Sequence, residues 1–282
     1  MVGLSALITA LIIVVPLVMG AALSLYKIES FAFGGSPAFS GWANFATVLG
    51  DPDLYNAAIN GALFAAISVS VQVVFALAVA LLLNQRFPGR TMVRAAVVLP
   101  MLLPAIVAVT VFRWMTDGSI GILTVLMRGA GLPMIAWGEQ PGPAVAQVIF
   151  LGFWLWAPFM VVSILAALQN IPASLYEAAR VDGAGRVAQF FHITLPQLAE
   201  VVSIIVLLRM IWVFNNFDVI WLATRGGPLG ATETLPLLSY RKAFLQFDLG
   251  GGAAIATLSF VLLLVVVVIA MKILPIDRQG NE

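Results

Sequence analysis

Six long apolar segments constrain the fold of this chain more than any other feature of its sequence. They lie at about 3 to 26, 56 to 84, 95 to 116, 143 to 169, 198 to 222 and 251 to 274. A hydrocarbon core about 30 Å thick takes about 20 helical residues, so each segment is long enough to cross a bilayer once. Only 10% of the residues are charged, whereas a soluble domain carries about 25%. The sequence therefore predicts an all-α membrane protein with six transmembrane helices in a single domain over residues 1–282.

The connectors between these segments predict the orientation in the membrane. The connector at 85–94 carries three arginines and no acid, whereas the connector at 28–55 carries three acids and no base apart from the adjacent Lys27. Short loops rich in Lys and Arg stay in the cytoplasm, so we expect 85–94, and with it both termini, on the cytoplasmic side. No basic segment precedes 3 to 26 and no clear cleavage site follows it. We therefore interpret this segment as a retained span and not as a signal peptide.

The rare polar residue types exclude several functions. The chain has no cysteine and one histidine, His192, which argues against disulfides, thiol catalysis and a multi-histidine metal site. The net charge is only +1 and the chain has no run of basic residues, so nucleic acid is not expected as a partner. None of the three lysines follows a glycine, so the chain lacks the Gly-Lys-Ser/Thr phosphate loop of ATPases. We expect no cofactor in this chain and a separate source of energy.

One polar segment, residues 172–196, separates the fourth and fifth apolar segments. Ser174 followed by Glu177 predicts a capping box at the start of a short helix. Gly183 supplies the backbone freedom that a tight turn requires. A second short helix is then predicted to end before Pro196. The segment is therefore expected to form a helix, a turn and a helix, with charged residues on both arms.

This segment resembles the EAA loop of the permease subunits of bacterial ABC importers. The matching residues are Glu177, Ala178, Ala179, Asp182, Gly183, Ile193, Leu195 and Pro196. The resemblance implies the type I ABC importer permease fold, with a cytoplasmic coupling helix that sits in a groove of the ATPase subunit. It assigns the coupling contact to Glu177, Ala178, Ala179, Asp182, Gly183 and Ala184. The alternative is an ordinary amphipathic cytoplasmic loop.

Polar side chains interrupt the fifth apolar segment and predict a pathway for a solute. The residues are Arg209, Trp212, Asn215, Asn216 and Asp218. A charged group at a helix centre costs about 2.5–3.5 kcal/mol, so these side chains should face protein or water. At about 100° per residue, Arg209, Trp212 and Asn216 share one helical face, with Asp218 nearly opposite Arg209. An indole ring, an amide and a guanidinium together suit a polyhydroxylated ligand. Hydrogen bonding between helices is the alternative role.

The following residues resemble the sugar-type ABC permeases, in the class that includes the maltose, trehalose and glycerol-phosphate systems. The matching positions are Thr224, Gly226, Gly227 and Pro228, then Thr232, Glu233, Thr234 and Leu235. The resemblance implies half of a carbohydrate pathway in the bacterial inner membrane. It also implies four kinds of partner: a second, homologous permease, two cytoplasmic ATPase subunits that bind ATP and Mg, an extracytoplasmic sugar-binding protein and a small carbohydrate. The chain lacks the extra N-terminal spans and large outer domain of the maltose version, so the resemblance does not identify the sugar.

Other classes of function remain open at this stage. An ABC permease for a non-sugar solute would share most of these features. An ion-coupled secondary transporter needs carboxylates within the membrane, and Asp218 is the one candidate in the sequence. An intramembrane enzyme needs a nucleophile and a base, and Ser203, Ser259 and His192 show no suggestive spacing.

Two prolines, Pro100 and Pro104, lie inside the third apolar segment. Proline removes a backbone hydrogen bond and clashes with the preceding turn, so the pair predicts a kink. Simple packing and a hinge that opens and closes the pathway are both compatible with such a kink.

Overall fold

The computed structural model describes residues 2–28 and 37–273, with side chains from residue 8 onward. The described chain is almost entirely helical. The first seven helices are α1 (Val2–Leu23), α2 (Ala43–Leu49), α3 (Pro52–Asn84), α4 (Arg90–Val98), α5 (Ala105–Met115), α6 (Ile122–Gly129) and α7 (Pro141–Asn170). The other six are α8 (Ala173–Val181), α9 (Arg186–Gln189), α10 (Leu195–Phe214), α11 (Asp218–Ala223), α12 (Leu235–Tyr240) and α13 (Leu249–Ile273). Two antiparallel strands of two residues each, β1 (Tyr26–Lys27) and β2 (Ala38–Phe39), pair after α1, and β1 contacts α13.

Four helices of the described chain are long and apolar enough to cross a membrane: α3, α7, α13 and a continuous helix from Arg186 to Phe214. A bent pair formed by Arg90–Leu102 and α5 raises the number to five if it counts as one span. The first predicted span forms α1, whose apolar part with described side chains is Ile8–Leu23. The whole of α1 has 22 residues, which is about the length of one crossing, but it is not among the four helices above. The number of six crossings therefore stays a prediction.

The third apolar segment is broken at its prolines. A 3₁₀ turn, Leu99–Leu102, follows α4, and Leu103 is extended with φ −83° and ψ 134°. Proline disfavours helical geometry in the residue before it, and Pro104 itself caps the start of α5. The two parts meet at 96°. The predicted kink is confirmed, and it is large enough to end one helix and begin another.

The tightest part of the core lies between α3 and α7, which contact each other more extensively than any other pair of helices. Ala76 and Ala80 of α3 face Met160 and Ile164 of α7, and all four side chains are fully buried. Lipid tails are as apolar as these side chains, so helix association in a bilayer depends on close packing, which small residues permit. The pair thus forms a firm framework on which α10 also packs.

The 172–196 segment forms a helix, a turn and a helix, but it does not start as predicted. Pro172 is the residue that caps α8, and no side chain bonds to the first backbone N–H groups. The predicted capping box of Ser174 and Glu177 is therefore wrong, because the helix begins at Ala173 and places the serine inside its first turn. Gly183 adopts φ +80°, as a tight turn requires.

The second arm also differs from the prediction, because Pro196 does not end a helix. The chain passes from α9 through a π-helical turn, Phe190–Thr194, directly into α10. Pro196 occupies the first turn of α10, where a missing N–H removes no hydrogen bond from the regular α-helix. The π turn accommodates the change in hydrogen-bond pattern, so Arg186–Phe214 forms one helix of 29 residues.

Candidate functional site

Arg209 lies at the centre of a buried recess between α3, α7 and α10. Only 2% of its surface is exposed. Its Nε donates a hydrogen bond to Oε1 of Gln72 on α3, over 3.1 Å. Its guanidinium carbon lies 5.6 Å from the ring centre of Trp156 and 5.7 Å from that of Trp212. No described carboxylate pairs with Arg209, so two aromatic faces and one amide stabilise its charge.

The recess contains two hydrogen-bond donors that have no acceptor among the described residues: Nη2 of Arg209 and Nε2 of Gln72. Buried donors are nearly always paired in native structures. Ser68, Asn216 and the ring of Phe64 also line the recess. The recess has a volume of about 10 Å³, so in this conformation its free donors can reach a water molecule.

The predicted face of the fifth apolar segment does not extend past Phe214, because α10 ends there. Asn215 caps the helix end, and its Nδ2 donates to the carbonyl of Ile211 over 2.9 Å. Asn216 lies in the break, and Asp218 begins α11. The prediction of one continuous helix through Asn216 and Asp218 is therefore wrong.

The structure nevertheless brings three of the predicted residues close together. Arg209 and Asn216 line the same recess, and the ring of Trp212 stacks beside the guanidinium. Asn215 and Asp218 are exposed and do not line it. The hydrogen bond from Arg209 to Gln72 also joins α10 to α3, which is the helix-joining role that the sequence left open.

Two important members of the recess, Gln72 and Trp156, were missed by the sequence analysis. Gln72 is fully buried in α3, and Trp156 belongs to α7. A lone glutamine inside an apolar segment is a signal that could have been noticed. Its partnership with Arg209 could not, because 137 residues separate the two along the chain.

The 224–235 loop, which follows α11, is held rigidly within the chain. Oγ1 of Thr224 lies 2.7 Å from Oγ1 of Thr232, which donates to the carbonyl of Gly227 over 3.0 Å. Asn60 of α3 donates to two carbonyls of the loop, those of Gly230 and Glu233, each over 3.0 Å. The loop is thus tied to a core helix.

An ion-pair cluster fixes the end of this loop. Nη2 of Arg241 lies 2.8 Å from both Glu233 and Asp53, which belongs to the first turn of α3. Burial raises the pKa of the Glu233 carboxyl, and the guanidinium opposes that shift. Arg241 thereby connects three separate segments of the chain.

The coupling residues proposed from the sequence lie on the surface of the 172–196 segment. Glu177, Ala178, Asp182 and Gly183 are exposed, and Ala179 and Ala184 are partly buried. Apolar side chains surround them: Val181 is 88% exposed, Val187 73% and Phe191 57%. A hydrogen bond between the hydroxyls of Tyr176 and Thr194, at 2.9 Å, holds α8 against the turn that precedes α10.

Solved structures with the same architecture define the fold class. A bacterial ABC transporter involved in the import of the acidic polysaccharide alginate aligns with a TM-score of 0.83 and 23% identity, over 95% of this chain and 92% of that one. The inward-facing MetNI methionine ABC transporter aligns less closely, with a TM-score of 0.53 and 20% identity, over 78% of this chain and 91% of that one. The chain has the type I ABC importer permease fold.

The sequence comparison then gives the family. Residues 72–275 match the family described as binding-protein-dependent transport system inner membrane component, and the chain belongs to it. The trehalose/maltose transport system permease protein MalF of Thermococcus litoralis is 35% identical over 83% of this chain and 79% of its own length. The sulfoquinovosyl glycerol transport system permease protein SmoG of Agrobacterium fabrum is 32% identical over 96% of this chain and 87% of its own length.

Membership in this family settles the general role of the chain. It is a multi-pass permease component of the inner membrane and not an enzyme, and separate ATPase subunits hydrolyse ATP. The family also implies a substrate-binding protein as a partner.

Proposed function

We propose that this chain forms half of the translocation pathway of an ATP-driven, binding-protein-dependent importer for a carbohydrate or a carbohydrate derivative. The continuous helix Arg186–Phe214 is the observation that carries the mechanical part of this proposal. It begins in the exposed 172–196 segment and carries Arg209 into the buried recess. The 23 residues from Arg186 to Arg209 span about 35 Å of rigid helix. A movement imposed on the segment therefore reaches the recess through one element.

The 172–196 segment is the proposed cytoplasmic coupling element. Its exposed charged and apolar side chains offer a surface for an ATPase subunit, which binds ATP and Mg in place of this chain. The contact residues are Glu177, Ala178, Ala179, Asp182, Gly183 and Ala184. In this arrangement the chain crosses the membrane six times, at the segments that the sequence predicted, and both termini are cytoplasmic.

The complete importer contains this permease, a second homologous permease, two ATPase subunits and an extracytoplasmic sugar-binding protein. Closure of the ATPase pair on ATP draws the two coupling segments together and switches the pathway from inward-facing to outward-facing. The bilayer holds the two permeases, and the binding protein delivers the solute.

A carbohydrate substrate is supported by the relatives and by the chemistry of the recess. The names of the two sequence relatives refer to trehalose or maltose and to sulfoquinovosyl glycerol, all sugars or sugar derivatives. Once the recess opens during transport, donors without acceptors beside aromatic rings suit hydroxyl oxygens and the apolar face of a sugar ring. The proposed pathway residues are Arg209, Trp212, Asn215, Asn216 and Asp218.

Uptake into proteoliposomes tests this function. The chain is reconstituted with its second permease and ATPase subunits, the binding protein is added outside, and uptake of labelled trehalose and maltose is measured. We expect accumulation that requires ATP inside and the binding protein outside. Uptake that persists without ATP, or that follows an imposed proton gradient, would overturn the proposal in favour of a secondary transporter.

A further inference from the structure

A polar cavity of about 540 Å³ lies beside the recess, at the end of α7 opposite the 172–196 segment. The end of α5, the loop before α7 and the end of α11 line it, and it is open to the outside on one side. Its lining includes Arg113, Asp117, Trp137, Glu139, Gln147 and Arg225. A volume of about 300–1,000 Å³ is typical of small-molecule sites. None of these residues belongs to the pathway proposed from the sequence.

The cavity is adjacent to the Arg209 recess along two helices. On α7, Gln147 of the cavity directly precedes Val148 of the recess. On α11, Ala223 of the cavity follows Ile220 of the recess by three residues, which is about one helical turn. A ligand in the cavity would thus lie within one or two helical turns of the recess.

Gln147 carries an unpaired acceptor in this cavity. The residue is only 2% exposed, and its Oε1 is buried with no donor among the described residues. It faces the backbone of Gly138, since a β-carbon built on that glycine would lie 3.5 Å from Oε1. A buried amide oxygen without a donor costs about 1–3 kcal/mol, which a ligand hydroxyl would recover.

The positive and negative side chains around the cavity are equal in number, and neighbouring groups contact three of them. Two backbone N–H groups, of Ile120 and Ser119, donate to Oδ1 of Asp117 and hold the pKa of that carboxyl below its usual value. Arg113 donates through Nη1 to the carbonyl of Leu222 over 3.3 Å. Arg225 lies over the ring of Trp221 at 5.7 Å. With two guanidiniums and two carboxylates, the cavity carries no net charge that would select an ion.

An aromatic ring completes the lining. Trp137 packs edge-on against Phe112, with ring centres 5.9 Å apart. Planar amide, carboxylate and guanidinium groups hydrogen-bond adjacent hydroxyls, and an indole packs on the apolar face of a pyranose ring. We propose that this cavity is a second saccharide site on the permease, which holds a neutral sugar unit on the outer side of the Arg209 recess. The proposal rests on the function proposed above.

The absence of cysteine from the natural sequence makes a direct test possible. Gly118 lines the cavity and has space for a β-carbon, so Gly118→Cys introduces the only thiol of this chain there. Gly129→Cys is the matched control, because that glycine is also exposed, also has free space for a β-carbon and lies outside the cavity. The rate of modification by a charged methanethiosulfonate is measured in the assembled importer, with and without trehalose, maltose or glucuronate.

We expect trehalose or maltose to slow modification of Gly118→Cys about tenfold at ten times its Kd, since only the free fraction reacts. Gly129→Cys should react at an unchanged rate. Adding Gln147→Leu to Gly118→Cys should abolish the protection without changing the rate in the absence of sugar. Stronger protection by glucuronate than by either neutral sugar would overturn the assignment of a neutral ligand.

Two further outcomes separate this proposal from the importer function. If the same proteoliposomes import a neutral sugar with ATP but that sugar gives no protection, the cavity site is wrong and the importer stands. Protection together with uptake that persists without ATP would support the site and overturn the importer. A Gly118→Cys thiol that does not react even without sugar would place the partner permease over the cavity and overturn the proposal.

Discussion

The 224–235 loop and the 172–196 segment differ in how their polar side chains are used. In the 224–235 loop, Asn60 donates to two backbone carbonyls, Arg241 pairs with Glu233, and Thr232 donates to a carbonyl within the loop. In the 172–196 segment, the described hydrogen bonds and ion pairs include no side-chain contact of Glu177 or Asp182. One region is stabilised from within, and the other leaves these two charged side chains without a described partner. This difference agrees with the proposed role of the 172–196 segment as the contact for an ATPase subunit.

Gly183→Leu, in the 172–196 segment, should have the largest effect on transport. Gly183 has free space around its Cα but adopts φ +80°, which costs a side chain about 1–2 kcal/mol. The turn should therefore open, and ATP-driven uptake should fall at least about tenfold. The thermal stability of the purified complex should change little, because the residue contacts no core side chain.

Gly185→Leu is the matched control for that variant. Gly185 has the same free space but φ −71°, which any residue adopts. It should retain most of the uptake. Full transport by Gly183→Leu would remove the coupling role from this turn.

Gln72→Leu tests the hydrogen bond that joins α3 to α10 within the membrane. It leaves Nε of the buried Arg209 without its acceptor. We expect a loss of about 1–2 kcal/mol in the stability of the permease, because the bond involves a charged donor. A lowered unfolding temperature of the purified complex measures it. Gln85→Leu, at an exposed helix end, is the control and should leave the unfolding temperature unchanged. If both variants lowered the unfolding temperature equally, the hydrogen bond to Arg209 would not be the cause.

Asn216→Leu separates a transport role from a structural one in the recess. Asn216 lines the recess but is only partly buried, so its loss should not disturb assembly. We expect uptake to fall about three- to tenfold, as one lost hydrogen bond to the solute implies. The measurement is the initial rate of uptake beside the yield of intact complex. A variant that falls apart during purification would assign Asn216 to helix packing.

Asn60→Leu should have the smallest effect. It removes two hydrogen bonds to the 224–235 loop, each worth about 1 kcal/mol or less. Hydrogen exchange of residues 226–234 should accelerate while uptake remains within about twofold. Asn56→Leu, on the same helix but exposed, provides the control. Unchanged exchange in Asn60→Leu would show that the ion-pair cluster holds the loop unaided.

The sequence predicted the parts of this protein whose cause is local. Gly183 marks a turn because only glycine takes positive φ at little cost, and Pro100 with Pro104 mark a kink because each lacks an N–H group. The capping box failed because Pro172, two residues before Ser174, is the residue that caps the helix. The prediction of a continuous helix across Asn216 was wrong. An apolar segment that contains asparagines does not show from its sequence at which residue the helix ends.

The sequence by itself determined that this chain is a bundle of membrane helices with one polar segment suited to an outside partner. Length, apolarity and glycine geometry act within a few residues and need no knowledge of the fold. Only the tertiary structure decided that Gln72 and Trp156 surround Arg209, that α10 ends at Phe214 and that a second polar cavity adjoins the recess. Those features depend on side chains from separate helices, whose contacts arise only when the helices pack.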